Sequence, residues 1–240
     1  MNAVITGSGW VTPLTMGYVR NNNRFEMGAG KLPEITRKDV FEEPRPHFGR
    51  LDRYSRLGVS AIAFALKDAQ LHRWTRKRPI GIIASTVHGC LETDIEYFNA
   101  TMTDGGRLAS PNLFAYTLPN SFLGEAAIFF GLTGTSFVIN EPSPSGIWCL
   151  RMALIGIANG QFEKLVCGMC DLGRLPFSCE SEETPGGALF FVIEKTPTRQ
   201  HLVYGDLYLD NNGILRFDDD EIKSLPILAE KCLKAFSKRG

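Results

Sequence analysis

Apolar residues along this chain fall into short runs that alternate between two spacings. Ala3–Thr6 is a continuous apolar run stopped by Gly7 and Gly9, which predicts a short buried strand. Residues 20–50 are polar, rich in Asn, Pro and Arg, and hold no sustained period, so they read as an irregular excursion over the surface. From Asp52 the spacing turns helical. RYSRLGVSAIAFALKDAQL sets apolar positions three and four apart behind an N-cap aspartate, predicting a helix to about Leu71. RPIGIIAST then predicts a buried strand ending in small polar residues.

Helices are expected over Glu92–Met102 and Ser121–Phe130, the second stopped by Gly131-Leu132-Thr133-Gly134. Next come a strand at Ser136–Asn140, a turn carrying Pro142, Ser143 and Pro144, a helix at Ser145–Asn159 and a strand at Lys164–Cys167. The helix is apolar on nearly all sides, with Arg151 its one charge. Gly186–Lys195 and Leu202–Asp210 read as strands paired with each other. Ile222–Ser237 reads as an amphipathic helix, with Asp218–Glu221 as an acidic start of favourable sign. Strands alternating with helices predict a layered α/β architecture around a central sheet, and 240 residues suit a single domain, 1–240.

Composition narrows the partners. With 26 basic and 26 acidic residues, net charge recruits neither nucleic acid nor an anionic membrane. No apolar run reaches the roughly 18 residues of a bilayer span, and MNAVITGSGW lacks a basic leader. Six cysteines sit in apolar or irregular segments of a chain too long to need disulfides, so the expectation is a reduced, cytoplasmic protein.

Four features invite a chemical reading. Gly7-Ser8-Gly9 after a strand suggests dinucleotide binding, but the third glycine of that fingerprint falls at Thr12 and Pro13 follows, so a tight structural turn is the better reading. Cys167 and Cys170 have the spacing of half a zinc site. No second such pair exists and His47, His72, His88 and His201 are remote in sequence, so two thiols in a buried strand are expected, with no metal and no cofactor. The basic segments Arg45–Arg56 and Arg73–Arg78 are either a solvated face or a dock for an acidic carrier. Ser143 occupies a strand-to-helix turn of the kind that presents nucleophiles. A serine hydroxyl there needs a positioned base, no Gly-x-Ser-x-Gly elbow is present, and Pro144 removes an N–H where an oxyanion would be cradled. From the residues alone Ser143 is a cap or turn residue.

The segment Ser110–Asp171 resembles the active-site core of the β-ketoacyl-acyl-carrier-protein synthases of the thiolase superfamily. It carries in order Pro119-Asn120 with Gly124, Gly131-Leu132-Thr133-Gly134, the strand Ser136–Asn140, the nucleophile position at Ser143, a helix to Gly160, and Leu165–Gly168. VITGSGWVTP and RLDRYSRLGVSAIAFALKDA resemble the family's first strand and first long helix. The resemblance implies a thiolase-like half: a single layered αβα lobe with a central mixed sheet, stopping near the midpoint of a synthase.

The same resemblance implies what is altered. Serine stands where the family has its cysteine, and the histidines that assist condensation belong to the family's C-terminal half, so condensation by this chain alone is not expected. The family also includes chain-length factors, synthase-like subunits that pair with a full-length ketosynthase. In that reading Phe137, Val138 and Ile139 form the partner interface, Leu113, Phe114 and Leu118 limit an acyl pocket, and an acyl carrier protein is a further possible partner. The products would be those of fatty acid, polyketide or aryl-polyene biosynthesis. The alternative makes Ser143 the acyl acceptor of a homodimeric acyltransferase, hydrolase or carrier-bound decarboxylase.

Overall fold

The computed structural model describes residues 2–107, 109–173, 185–197 and 202–239; Cys179 and His201 lie outside them. β1 (Asn2–Val11) runs well past Thr6, where its glycines were expected to end it. Gly7 and Gly9 stay within the strand because a long helix crosses them. A Cβ on Gly9 would sit 2.1 Å from the Ala65 nitrogen, and one on Gly7 2.5 Å from the Ala65 oxygen. These glycines therefore serve close helix–strand approach, and the turn reading is corrected.

β2 (Met16–Tyr18) pairs antiparallel with the second half of β1. Residues 20–50 contain only short pieces, among them α1 (Arg37–Val40), yet Phe25, Ile35, Val40, Phe41 and Phe48 are buried, so the excursion also covers the core. α2 (Arg53–Asp68) starts where its cap predicts: Asp52 Oδ1 accepts from the Ser55 N–H at 2.9 Å. It ends with Gln70 in the left-handed region and the Leu71 N–H closing onto the Leu66 carbonyl, three residues before the expected limit.

β3 (Gly81–Thr86), α3 (Leu91–Met102), α5 (Ser121–Phe130) and β4 (Ser136–Asn140) follow close to expectation, and α4 (Pro111–Phe114) is a short helix that was not expected. α6 (Ile147–Ala158) begins two residues late. β5 (Lys164–Asp171) continues four residues past Cys167, with Gly168 inside it, because a Cβ there would lie 2.1 Å from the Leu189 carbonyl oxygen of the next strand. β6 (Gly187–Glu194) and β7 (Gly205–Leu209) do not pair with each other. β1 lies between them, antiparallel to both, with Val4 opposite Glu194 on one side and Asp206 on the other. β8 (Leu215–Phe217) and β9 (Asp220–Glu221) use the acidic residues expected to start a helix. α7 (Leu225–Ser237) begins after them, with Ser224 at its N-cap position and Pro226 in its first turn.

The strand order is β4-β3-β5-β6-β1-β7-β8-β9, with β2 beside β1. β4, β3 and β5 are parallel and the remaining pairings antiparallel, so the sheet is mixed. One face meets α2 and α5 in a core holding Ile62, Phe122 and Phe190. The other meets α6 and α7 around Leu150, Phe191 and Leu228. The result is the expected αβα layering. Cys167 and Cys170, three apart on β5, enter opposite cores, and burial pushes both thiols well above their usual range, so they cannot share a metal ion.

Candidate functional site

In open α/β sheets, loops at the carboxyl ends of parallel strands are where ligands and chemistry collect. Here those ends belong to β3, β4 and β5, and the turn 141–146 crosses them. The Glu141 N–H extends the β3–β4 ladder by donating to the Thr86 carbonyl at 2.8 Å. Its side chain then turns inward and is buried. Oε1 accepts from Ser85 Oγ and from the Trp148 backbone N–H at 3.0 Å; Oε2 accepts from Ser145 Oγ at 3.3 Å.

Trp148 is the second residue of α6, so this carboxylate occupies the electropositive start of that helix. α6 starts at Ile147 because Gly146 adopts φ 68° as its N-cap, a conformation glycine accepts readily. A side chain at Gly146 would also strike Leu225, 2.4 Å from its Cδ1. The Leu225 N–H donates to the Ser145 carbonyl at 2.9 Å, so the first residue of α7 clamps the turn from the other end of the chain.

Ser143 lies in the bend, exposed, next to exposed Pro142. The adjacent carboxylate is committed to Ser85, Ser145 and the helix start, so it is not aimed as a base at this hydroxyl. A negative charge developing at the turn would also meet one already fixed at the helix end, the reverse of an oxyanion hole. The geometry keeps a strand, bend and helix but disfavours nucleophilic attack from it.

A second buried carboxylate organises the neighbouring loop. Asp171, at the end of β5, accepts from Thr86 Oγ1 at 2.8 Å and from the Val87 and His88 N–H groups at 2.9 Å each. Thr86 Oγ1 in turn accepts from the Gly89 N–H at 2.7 Å. Burial pushes the Asp171 carboxyl up and these donors oppose it. Neither Glu141 nor Asp171 was identified from sequence; the available signal was a lone acid at the end of an apolar strand.

The other sequence candidates are distributed around this centre. Phe137, Val138 and Ile139 are half-buried on β4, which is the sheet edge. Phe137 and Ile139 pack on one core and Val138 on the other, and among the described residues no strand pairs with the outer hydrogen-bonding side of β4. On α6, Trp148, Met152 and Ile155 are exposed at i, i+4 and i+7, and Ile128 is exposed on α5. Leu113 is half-buried and, with Leu57 and Tyr116, lines a surface pocket of about 460 Å³. Phe114 and Leu118 are exposed, the Phe114 ring 5.3 Å from that of Tyr97.

Part of the basic segments is structural: Arg78 donates to the Leu71 and Phe130 carbonyls, Arg56 donates to that of Leu51, and Arg53 pairs with Glu92 at 3.3 Å. Among the described residues no group of three or more His, Cys, Asp or Glu could hold a metal ion, and no helix is long and apolar enough to cross a membrane.

Comparison with known proteins gives a consistent result. The family model described as "Beta-ketoacyl synthase, N-terminal domain" matches residues 31–181. The Streptomyces virginiae protein designated polyketide beta-ketoacyl synthase 1 is 31% identical over 139 residues, covering 54% of this chain and 32% of that protein, so the match spans about a third of the relative. Among solved structures, the ishigamide ketosynthase/chain length factor superposes with TM-score 0.66 at 16% identity, covering 88% of this chain and 68% of that one. The ketosynthase ApeO in complex with its chain length factor ApeC, from Xenorhabdus doucetiae, gives 0.60 at 18%, over 82% and 80%. AntDE:AntF, an acyl-carrier protein in complex with its ketosynthase, gives 0.67 at 18%, over 99% and 82%.

Proposed function

The chain belongs to the β-ketoacyl synthase family, and from that premise we propose that it is a ketosynthase-like subunit that pairs with a catalytic ketosynthase and helps set acyl or polyketide chain length. The observation that carries this reading is the open edge of β4, half-buried on both faces and accompanied by exposed apolar side chains on α5 and α6. An unpaired apolar edge is a ready template for pairing with another chain. The neighbours described as ketosynthase/chain length factor pairs support the same role.

In this reading the partner supplies the nucleophile, and the turn 141–146 is a scaffold element. Leu113, Phe114 and Leu118 then border the growing chain, and an acyl carrier protein visits the pair. The test is co-expression with a ketosynthase followed by size-exclusion chromatography and product analysis. A stable heterodimer, longer products from Leu113→Ala or Phe114→Ala, and unchanged output from Ser143→Ala are expected. Failure to associate with any ketosynthase tried refutes the proposal.

The exposure of Ser143 keeps one competing reading in view, a homodimeric acyltransferase, hydrolase or decarboxylase acylated at that hydroxyl. Intact-protein mass spectrometry after incubation with acyl and malonyl carrier protein separates the two. A covalent adduct lost in Ser143→Ala would establish the second reading.

A further inference from the structure

The two basic segments, separate in sequence, meet at the C-terminal end of α2. Arg45 from the excursion, Lys67 from α2, and His72 and Arg73 from the turn after it line one pocket of about 380 Å³. Its apolar wall includes Phe41, Phe130 and Trp74, and the Arg45 guanidinium stands 5.9 Å from the centre of the Phe41 ring. That volume falls within the roughly 300–1,000 Å³ of small-molecule sites.

Two polar atoms at this pocket are buried without a partner: Arg45 Nε and His72 Nδ1 form no hydrogen bond among the described residues. Buried polar atoms are ordinarily satisfied, so two unsatisfied ones in the wall leave the polar network of this pocket incomplete. Two acids, Glu42 and Glu43, line the same pocket. Glu42 stands 3.5 Å from Arg73 and Glu43 3.8 Å from Arg45, both with side chains about four-fifths exposed to water. Such pairs are weak and easily displaced. Burial, then Arg73 and Lys67, lower the His72 pKa against the opposing pull of Glu42, as expected where positive charge is in excess.

We propose that this pocket binds an organic carboxylate carried on an aromatic or short apolar body, its charge met by Arg45, Lys67 and Arg73 and its body packed on Phe41, Phe130 and Trp74. The chemistry follows from the pairing of a guanidinium, which matches a carboxylate's two oxygens, with an aromatic wall that a bare inorganic anion would leave unused. The site is separate from the turn at Ser143 and does not depend on the role proposed for the chain.

Cinnamate is a suitable probe, with cinnamamide as its uncharged counterpart and inorganic phosphate as the anion without a body. Calorimetry on the full chain should show saturable binding of cinnamate and at least about tenfold weaker binding of the other two. Arg45→Gln and Lys67→Gln, on different elements, should each weaken cinnamate by about tenfold with unchanged melting temperature. By NMR the Trp74 indole resonance should shift and the His72 pKa should rise on saturation. Equal binding of cinnamamide or phosphate, indifference to both variants, or absence of saturable binding at millimolar cinnamate would overturn the proposal.

Discussion

Replacing Glu141 with alanine should destabilise the protein by about 3 kcal/mol through one named group and one field effect. The carboxylate serves three donors: Ser85 Oγ, Ser145 Oγ and the Trp148 N–H. After Glu141→Ala, Ser145 is only half-buried and its hydroxyl can turn to water, while the Trp148 N–H is one of the helix-start donors that the field effect covers. Ser85 is 2% exposed and cannot. Leaving it orphaned costs roughly 1–3 kcal/mol. Losing the negative charge at the start of α6 adds roughly 0.3–2 kcal/mol. For 240 residues the unfolding entropy near the melting point is on the order of 0.5 kcal/mol/K, so the melting temperature should fall by about 6 °C.

Glu141→Gln keeps one acceptor oxygen and should lose about a third as much, roughly 2 °C by the same conversion. Scanning fluorimetry on the three proteins, with circular dichroism to confirm unchanged secondary structure, makes the comparison. Ser85→Ala completes a double-mutant cycle that should report a coupling of roughly 1–2 kcal/mol. A Glu141→Ala protein melting within about 1 °C of the parent would refute the reasoning: the cost of desolvating the carboxylate would then cancel everything it binds.

Two further predictions rest on the fold. Gly9→Ala puts a methyl against backbone, 2.1 Å from the Ala65 nitrogen and 2.5 Å from the Phe64 carbonyl carbon, so soluble expression should collapse while Gly49→Ala, with open space around it, expresses normally. Asp68 is buried where the Ser8 and Arg20 N–H groups and the Tyr204 hydroxyl converge, at 2.7 to 2.8 Å. Burial raises its carboxyl pKa to about 6 from an ordinary 3.8 despite these donors. Folding therefore favours the protonated form: the contribution is full below about pH 4 and is lost as pH rises through about 6, a change of roughly 3 kcal/mol. Urea unfolding between pH 4 and 7 should show that slope, reduced but not abolished in Asp68→Asn because the raised Asp171 carboxyl adds in the same direction. An identical slope in the variant would count against Asp68 as its source.

Much of the candidate site is legible in the sequence. The strand Ser136–Asn140, the proline-flanked Ser143 and the apolar helix behind it are local patterns, and each element lies within a few residues of its expected place. Glu141 was not legible as a helix-start anion, because an acid ending a strand points inward only if a partner such as Ser85, 56 residues earlier, waits there. Gly7, Gly9 and Gly168 look like stops in a one-dimensional reading, since a missing side chain marks a turn and a close contact equally well.

The sequence by itself determined the order and type of most elements, the Asp52 cap, and the apolar character of β4 and α6, because side-chain periodicity and capping act over a few residues. Only the tertiary structure decided which strands are neighbours. It set β1 between β6 and β7, joined Thr6 to Glu194 across 188 residues at 2.7 Å, placed β4 at an edge, and brought Arg45 to His72. Pairing and burial are settled by competition among all faces of the chain at once, and local spacing carries no record of that outcome.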